Sequence, residues 1–427
     1  MRVTGTLRFV MRPLFGCAIL GAAAAGCDSE QATSPTPAGT LVVTPARLVL
    51  GIGMSRQLLA TVLDESGVPV ARDSVSFVSS DAGLAPVSSS GLVSYTGAGE
   101  ADITVSSHDL RAVIPYTGLQ TGHPQGMTTS SVRLPGDGPF GAAVDGSGRI
   151  FISQANSGQI ASDLYPVTGF TTQNVGGVPT SIALLGGGTA LLTPTGTDTT
   201  EATVIDLASS RVVAQVPLGV SAYAAVTAPD SETAYLGTND GRVLVFDVAS
   251  SQVTESIDLG VANSRANHLA LNASGTLLYA SSFTTGTISE IDLASRSVAR
   301  LLIVGGEPQG IAPSLDGTEL YVADESGKGF INLYDLVGET LESSTPSGAT
   351  ASLGGPFALA MSPDGSSVYV GVISTEGPGL IHVIDTGTRT ITHTFSSCGG
   401  KPRRIAFGFS GGLAVIADET GCATFVE

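Results

Sequence analysis

A short pattern, two mainly apolar residues followed by aspartate, recurs through the C-terminal two-thirds of the chain and constrains its fold more than any other feature. Five aspartates end the pattern at intervals of 41 to 50 residues: Asp206, Asp247, Asp292, Asp335 and Asp385. A second marker, proline or an equivalent residue that opens a short apolar strand, begins each of seven units: Pro139, Pro179, Ala222, Asn267, Pro308, Pro356 and Pro402. Because each unit has room for four short strands, this period predicts the blades of a β-propeller.

The repeats resemble the YVTN-type bacterial β-propeller family, most clearly at 307–335 and 355–385. The resemblance covers about 129–427 and implies a seven-bladed propeller. Blade 1 departs from the family pattern because it lacks the apolar-apolar-Asp ending. Blade 2 departs because Gly186, Gly187 and Gly188 replace the Asp-Gly turn found in later blades.

The last repeat, 402–427, holds only three strands. An additional strand-like segment, 130–135, precedes the first marker and resembles the fourth strands predicted at 211–218 and 252–259. We therefore predict that this N-terminal segment completes the last blade, which leaves no exposed edge between the first and last blades.

Residues 40–117 form a run of short alternating segments separated by turn residues, a pattern typical of an antiparallel β-sandwich. The run resembles the bacterial Ig-like group 2 module, with Phe77 where that family often has Trp. The resemblance implies a spacer or adhesion-type module without catalysis. The sequence thus predicts an all-β chain, an N-terminal Ig-like sandwich followed by a seven-bladed propeller over 129–427, with a linker at 118–128.

The first 27 residues have the character of a targeting segment. Arg2, Arg8 and Arg12 precede an apolar stretch at 14–25, which is shorter than the roughly 20 residues that span a bilayer. The small residues before Cys27 resemble the bacterial lipobox, which implies cleavage before Cys27 and acylation of that residue. An ordinary secretory signal is the alternative, and either Met1 or Met11 is the start. Residues 28–39 are expected to form a flexible tether from a lipid anchor in the cell envelope, on the periplasmic side of the outer membrane or at the cell surface.

Charge and residue types limit the possible partners. The chain has 19 Lys and Arg against 37 Asp and Glu, and removal of the leader with its three arginines leaves a net charge of −21. DNA binding is attributed to relatives of YVTN propellers, but such a charge repels phosphate backbones, and we expect no nucleic-acid partner. Trp is absent and His numbers five, which argues against a quinone cofactor or a copper cluster.

Two cysteines remain after the leader, Cys398 and Cys422. In a propeller, the loop that enters a blade and the loop between its second and third strands lie on one face, so these residues should be neighbours. We predict a disulfide, because an oxidising compartment favours one. The alternative, a metal site, lacks nearby His or further Cys.

The residues that follow each blade marker should ring the mouth of the central channel. These residues differ between blades, unlike the scaffold positions, and they combine aromatic rings with a few charges, as shallow binding sites do. The predicted binding residues are Phe140, Tyr223, Asn267, His268, Gln309, Phe357, Arg403 and Arg404. Two alternatives stay open: the arginines pair with Asp418 and Glu419 of their own blade, and His268 is a hydrogen-bonded structural residue.

No nucleophile elbow, phosphate loop or dinucleotide fingerprint is present, and we predict no catalytic residue, metal or cofactor. The expected function is a non-catalytic envelope lipoprotein whose propeller binds a protein, peptide or glycan. The alternative is a hydrolase or lactonase-like enzyme that acts in the channel mouth.

The anchor prediction is tested by a Cys27→Ala substitution. Each buried CH₂ of an acyl chain contributes about 0.8 kcal/mol to membrane binding, so the unacylated variant should move from the membrane pellet to the supernatant on fractionation. A variant that still sediments with membranes would contradict lipidation at Cys27.

Overall fold

The computed structural model describes residues 39–44, 48–50, 55–70, 74–118, 124, 129–194, 200–327, 329–348 and 353–427. The predicted leader, the lipidated Cys27 and nearly all of the tether lie outside these residues. In the part that is described, no helix is long and apolar enough to cross a membrane. The described part is built from β-strands and one 3-10 turn, Phe409–Gly411.

The N-terminal strands form a small sandwich: β1 Thr40–Thr44, β2 Leu48–Leu50, β3 Ser55–Gln57, β4 Leu59–Leu63, β5 Ser76–Ser79, β6 Leu92–Ser94, β7 Gly99–Ser107 and β8 Leu110–Gly118. One sheet has the order β2-β8-β7-β5, and two smaller sheets pair β1 with β4 and β3 with β6. Leu48, Leu58 and Ile103 are fully buried between them, and Phe77 packs against this core.

One pair in the sandwich departs from the predicted antiparallel arrangement. Strand β2 runs parallel to β8, with Leu48 opposite Tyr116. These strands come from the beginning and the end of the module. No hairpin joins them, so nothing forces them to run in opposite directions.

The remaining strands form seven four-stranded sheets. Strand β9 is Thr129–Arg133. Blade 1 holds β10 Pro139–Val144, β11 Arg149–Gln154, β12 Gln159–Leu164 and β13 Thr171–Asn174. Blade 2 holds β14 Ala183–Leu185, β15 Ala190–Pro194, β16 Glu201–Asp206 and β17 Arg211–Pro217. Blade 3 holds β18 Ala222–Thr227, β19 Thr233–Thr238, β20 Arg242–Asp247 and β21 Gln252–Asp258.

Blade 4 holds β22 His268–Leu271, β23 Leu277–Ser282, β24 Thr287–Asp292 and β25 Ser297–Ile303. Blade 5 holds β26 Pro308–Pro313, β27 Glu319–Asp324, β28 Phe330–Asp335 and β29 Thr340–Pro346. Blade 6 holds β30 Leu353–Met361, β31 Ser367–Ser374, β32 Leu380–Asp385 and β33 Thr390–Ser396. Blade 7 holds β34 Pro402–Gly408, β35 Leu413–Asp418 and β36 Cys422–Val426.

The aspartates that end third strands form tight turns into the fourth strands. The Oδ1 atom of Asp247 accepts hydrogen bonds from the Ser250 amide at 2.8 Å and from the Ser250 hydroxyl at 2.5 Å. Asp206, Asp292 and Asp385 make the same two bonds to the residue three positions on. The hydrogen bonds to Ser250 hold the pKa of Asp247 below its usual value. The repeat-ending aspartate is therefore a turn residue in these blades, as its recurrence suggests.

Apolar clusters fill the space between neighbouring blades. The recurrent tyrosines of the second strands, Tyr235, Tyr279, Tyr321 and Tyr369, each lie in one of these clusters. A further cluster joins blade 7 to blade 1 through Phe425, Leu413, Ile150 and Ile152. The blades therefore form a closed ring.

The predicted completion of the last blade is confirmed. Strand β36 pairs antiparallel with β9, with Cys422 opposite Arg133 and Ala423 opposite Val132. Leu134, directly after β9, is buried in the cluster between blades 7 and 1. The N-terminal strand thus contributes both backbone hydrogen bonds and apolar surface to the closure.

The predicted disulfide between Cys398 and Cys422 is also present, with 6.2 Å between the two Cα atoms. It ties the loop that enters blade 7 to the strand that pairs with β9. A loop of 24 residues closed in this way corresponds to about 3 kcal/mol of stabilisation in the chain-entropy account.

Deletion of residues 130–134 should lower the melting temperature by about 10 °C, since several net hydrogen bonds of roughly 1 kcal/mol and the burial of Val132 and Leu134 are lost. Differential scanning calorimetry measures the shift. A deletion of equal length in the tether, 30–34, is the control and should leave the transition in place. An unchanged melting temperature for the first variant would show that the strand does not stabilise the ring.

Candidate functional site

The inner strand of most blades carries a β-bulge at the position where the sequence markers stand. The register shifts between Ala222 and Ala224 in blade 3, between Pro356 and Ala358 in blade 6, and between Pro402 and Arg404 in blade 7. A bulge re-aims the extra residue, here Tyr223, Phe357 or Arg403. This local irregularity brings these side chains together near the channel axis.

Four rings from different blades pack against one another and form what we call the aromatic plug: Phe140, Tyr223, His268 and Phe357. The centroid of Phe140 lies 5.5 Å from that of Tyr223 and 6.2 Å from that of Phe357. His268 stands 5.2 Å from Phe357, again edge to face. Burial in the plug raises the pKa of Tyr223 to about 12. Phe140, His268 and Phe357 are almost fully buried, whereas Tyr223 is half-buried and lines the cavity described below.

Arg403 lies over the plug. Its guanidinium carbon is 4.4 Å from the Phe357 centroid and 5.3 Å from that of Phe140, within the range of cation–π attraction. It also donates from Nε and Nη2 to Oε2 of Glu419, at 2.6 and 2.5 Å. Asp418 instead accepts hydrogen bonds from the amides of Lys401 and Thr420. The alternative that the arginines pair within their own blade is confirmed for Arg403, with Glu419 as the partner.

Arg404 behaves differently, although it is the next residue. Its backbone pairs with Ala417, and among the described residues it makes no ion pair with a carboxylate. Its Nη2 atom is completely buried and makes no hydrogen bond to any of them. Burial lowers the pKa of the guanidinium. The two arginines therefore have separate environments: Arg403 is paired at the plug, whereas Arg404 is half-buried in the channel with an unpaired Nη2 atom.

His268 stands one position deeper in the channel than the sequence markers suggest. It pairs with Ser281, as Ala224 pairs with Gly237 and Arg404 with Ala417, so Asn267 takes the bulge position. By register, the marker of blade 4 is therefore Ala266, one residue before the position expected from the sequence. His268 is 2% exposed and neither ring nitrogen has a hydrogen-bond partner in the described structure, so the expectation of a hydrogen-bonded histidine is wrong.

Electrostatics keep His268 neutral. Its burial, together with the positive charges of Arg404 and Arg403, holds its pKa well below the ordinary value. Protonation would add a third positive charge to this end of the channel, in a low-dielectric environment that disfavours it.

The plug separates two cavities. We call the propeller face that carries the loops between second and third strands the upper face, and the other the lower face. The upper cavity has a volume of about 240 Å³ and is lined by Tyr223, Asn239, Arg265, Asn267, Phe283, Gln309 and Phe357. The lower cavity, about 380 Å³, is lined chiefly by apolar residues of the inner strands and by Arg404.

Gln309 and Glu325 form a polar pair beside the upper cavity. Nε2 of Gln309 donates a hydrogen bond of 2.8 Å to Oε2 of Glu325. Burial raises the pKa of Glu325. Across the described part of the chain, no three His, Cys, Asp or Glu side chains converge in a way that could hold a metal ion.

The structure thus places all eight predicted binding residues at or beside the plug, but it divides them. Tyr223, Asn267, Gln309 and Phe357 line the upper cavity, and Arg404 lines the lower one. Sequence reasoning missed Arg265, an exposed cation at the upper face, because it precedes the marker of blade 4, which was placed one residue too late. It also missed the lower cavity, whose mainly apolar residues carry no chemical signal in the sequence.

No protein-family model and no curated protein matches the chain. Solved structures that resemble it include hydrazine synthase of Kuenenia stuttgartiensis, with a TM-score of 0.61 and 15% sequence identity over 72% of this chain and 99% of that one. At such low identity the likeness concerns the fold alone. It supports the propeller and leaves the role of the site to be argued from the side chains.

The packing of the plug predicts the effect of a Phe357→Ala substitution. Phe357 is 5% exposed and contacts Phe140, His268 and Arg403, so its loss should cost about 3 to 5 kcal/mol in urea unfolding. Ile303→Ala, on an outer strand with 83% exposure, is the control and should change the free energy of unfolding by less than about 0.5 kcal/mol. Equal effects of the two substitutions would contradict the packed plug.

Proposed function

We propose that this chain is a non-catalytic binding protein of the cell envelope, in which the upper face of the propeller holds a protein, peptide or glycan partner. The propeller fold supports a binding or scaffold role.

The observation that carries the proposal is the composition of the upper cavity. Amide side chains of Asn239, Asn267 and Gln309 surround the rings of Tyr223 and Phe283. Amides both donate and accept hydrogen bonds, so they suit peptide backbones and sugar hydroxyls. The Oδ1 atom of Asn267 is buried and has no hydrogen-bond partner among the described residues.

The rim of the cavity suits a macromolecular partner better than an enclosed small molecule. Arg265 is exposed, and Asn239 and Phe283 are half-buried in loops around an open depression. Aromatic and arginine side chains are enriched where binding energy concentrates at interfaces. A guanidinium in a chain of such negative charge also offers a local attraction for acidic groups.

The N-terminal segments support the envelope location. The lipobox-like residues that end at Cys27 imply a lipid anchor, and the sandwich resembles an Ig-like spacer. In the proposed arrangement, the anchor and the spacer present the propeller to its partner. We also propose that the blades are YVTN-type repeats and that the sandwich is an Ig-like group 2 module.

Binding is tested by screening the mature chain on arrays of envelope peptides and glycans, followed by titration of the ligands that it retains. We expect saturable binding that a Phe283→Ala, Asn239→Ala double variant weakens about tenfold or more, because truncation of central contacts costs 1 to 2 kcal/mol or more.

Leu341→Ala, an exposed position on the outer strand of blade 5, is the matched control and should bind as the unaltered chain does. Melting temperatures of all variants show whether the fold is kept. Absence of saturable binding, or equal binding by the double variant, would contradict a partner site on the upper face.

A further inference from the structure

The lower cavity is a chamber at the other end of the channel, lined mainly by apolar side chains, although polar atoms contribute more of its exposed surface than apolar ones. Its walls come from the inner strands of blades 4, 5 and 6, chiefly Leu269, Leu271, Ile311, Leu359 and Met361. Its rim is formed by turns between first and second strands, which include Ala273, Leu315 and Pro363. At about 380 Å³ it falls in the range of small-molecule sites, roughly 300 to 1,000 Å³.

Arg404 is the one charged side chain among the described residues that line this cavity. The two serines of the lining have partners: Ser181 accepts a hydrogen bond from the Ala225 amide, and Ser362 donates to Asp364. The guanidinium is thus the polar group of the chamber that is left unsatisfied. His268, at the equivalent register position of blade 4, is a second buried polar side chain without a hydrogen bond in the described structure.

A half-buried guanidinium without a partner gives up part of its hydration, and neither hydrogen bonds nor an opposite charge compensate for that loss. An oxyanion in the chamber would supply both. Guanidinium and carboxylate groups match in shape and form short, charge-assisted hydrogen bonds. The apolar walls would in turn bury a hydrocarbon tail, at about 25 cal/mol per Å² of surface removed from water.

We propose that the lower cavity binds a small carboxylic acid, with the carboxylate on Arg404 and an apolar tail along the inner strands. The charge balance favours a monoanion: one guanidinium beside a neutral His268 neutralises one negative charge and would leave a phosphate or sulfate dianion half-compensated in an apolar site. This site lies at the opposite end of the channel from the proposed partner surface and does not depend on it.

The proposal is tested by isothermal titration calorimetry of the full mature chain with hexanoate, at fixed ionic strength. We expect one saturable site. Hexanamide, which has a similar shape but no charge, should bind at least tenfold more weakly. Competition with sodium chloride and sodium sulfate distinguishes a carboxylic-acid site from a general anion site. At equal ionic strength, neither salt should displace hexanoate from a carboxylic-acid site.

Two variants assign the site. Arg404→Met should weaken hexanoate binding at least tenfold, while Arg265→Met, which removes an exposed cation of the upper face, should leave it unchanged. In the absence of ligand, Arg404→Met should melt at the same temperature or a few degrees higher, since it removes an unpaired, half-buried charge. A purely structural arginine would give a lower melting temperature instead.

If Arg404→Met does not fold, the variant Leu315→Glu tests the lower-cavity site instead. Leu315 is 47% exposed at the rim of the cavity, so a carboxylate there should weaken hexanoate several-fold by charge repulsion without disturbing the core. The proposal is overturned if hexanoate does not saturate, if hexanamide binds as tightly, if salt displaces hexanoate, or if hexanoate binds equally to the folded variants Arg404→Met or Leu315→Glu. These hexanoate results do not depend on whether the upper face binds a peptide or a glycan.

Discussion

The pairing of β9 with β36 is the interaction on which the rest of the structure depends. It joins the first strand of the propeller to its last, and the cluster around Phe425 and Leu413 seals the boundary between blades 7 and 1. Without it, blade 7 would present an unpaired strand edge, and the ring would be open at one boundary. The two strands lie at opposite ends of the propeller sequence, so their pairing closes a very long loop. Burial at the boundary between blades 7 and 1 must offset the entropy cost of closing that loop.

Closure also creates the site. It places β34, which carries Arg403 and Arg404, beside β10, which carries Phe140. Arg403 then reaches the plug rings and Glu419, while Arg404 enters the channel below them. The plug divides the channel into an upper depression rich in amides and a lower apolar chamber with one cation. Two chemically different surfaces therefore arise from a single ring of inner strands.

Most of the architecture could be predicted from the sequence, because repetition and strand alternation leave few alternatives. The blade boundaries followed from the recurring aspartates, and the borrowed strand followed from a repeat that lacked its fourth strand. The site was harder, because one residue of register reverses the face that a side chain occupies. Arg403 and Arg404 look equivalent in the sequence, and the bulge beside Pro402 decides which one meets Glu419. In blade 4 the residue equivalent to Pro402 is Ala266, so His268 occupies the position of Arg404 and not that of Arg403.

Ring closure leaves Arg404 without a carboxylate partner in the lower cavity, and we propose that this cavity accepts a carboxylate. A crystal structure with hexanoate that carries bromine on its terminal carbon tests this most directly. The account predicts an anomalous bromine peak among Leu269, Ile311 and Leu359, with the carboxylate about 2.7 to 2.9 Å from the Arg404 guanidinium. A chamber without bromine at saturating ligand, with Arg404 turned to a carboxylate of the protein itself, would contradict it.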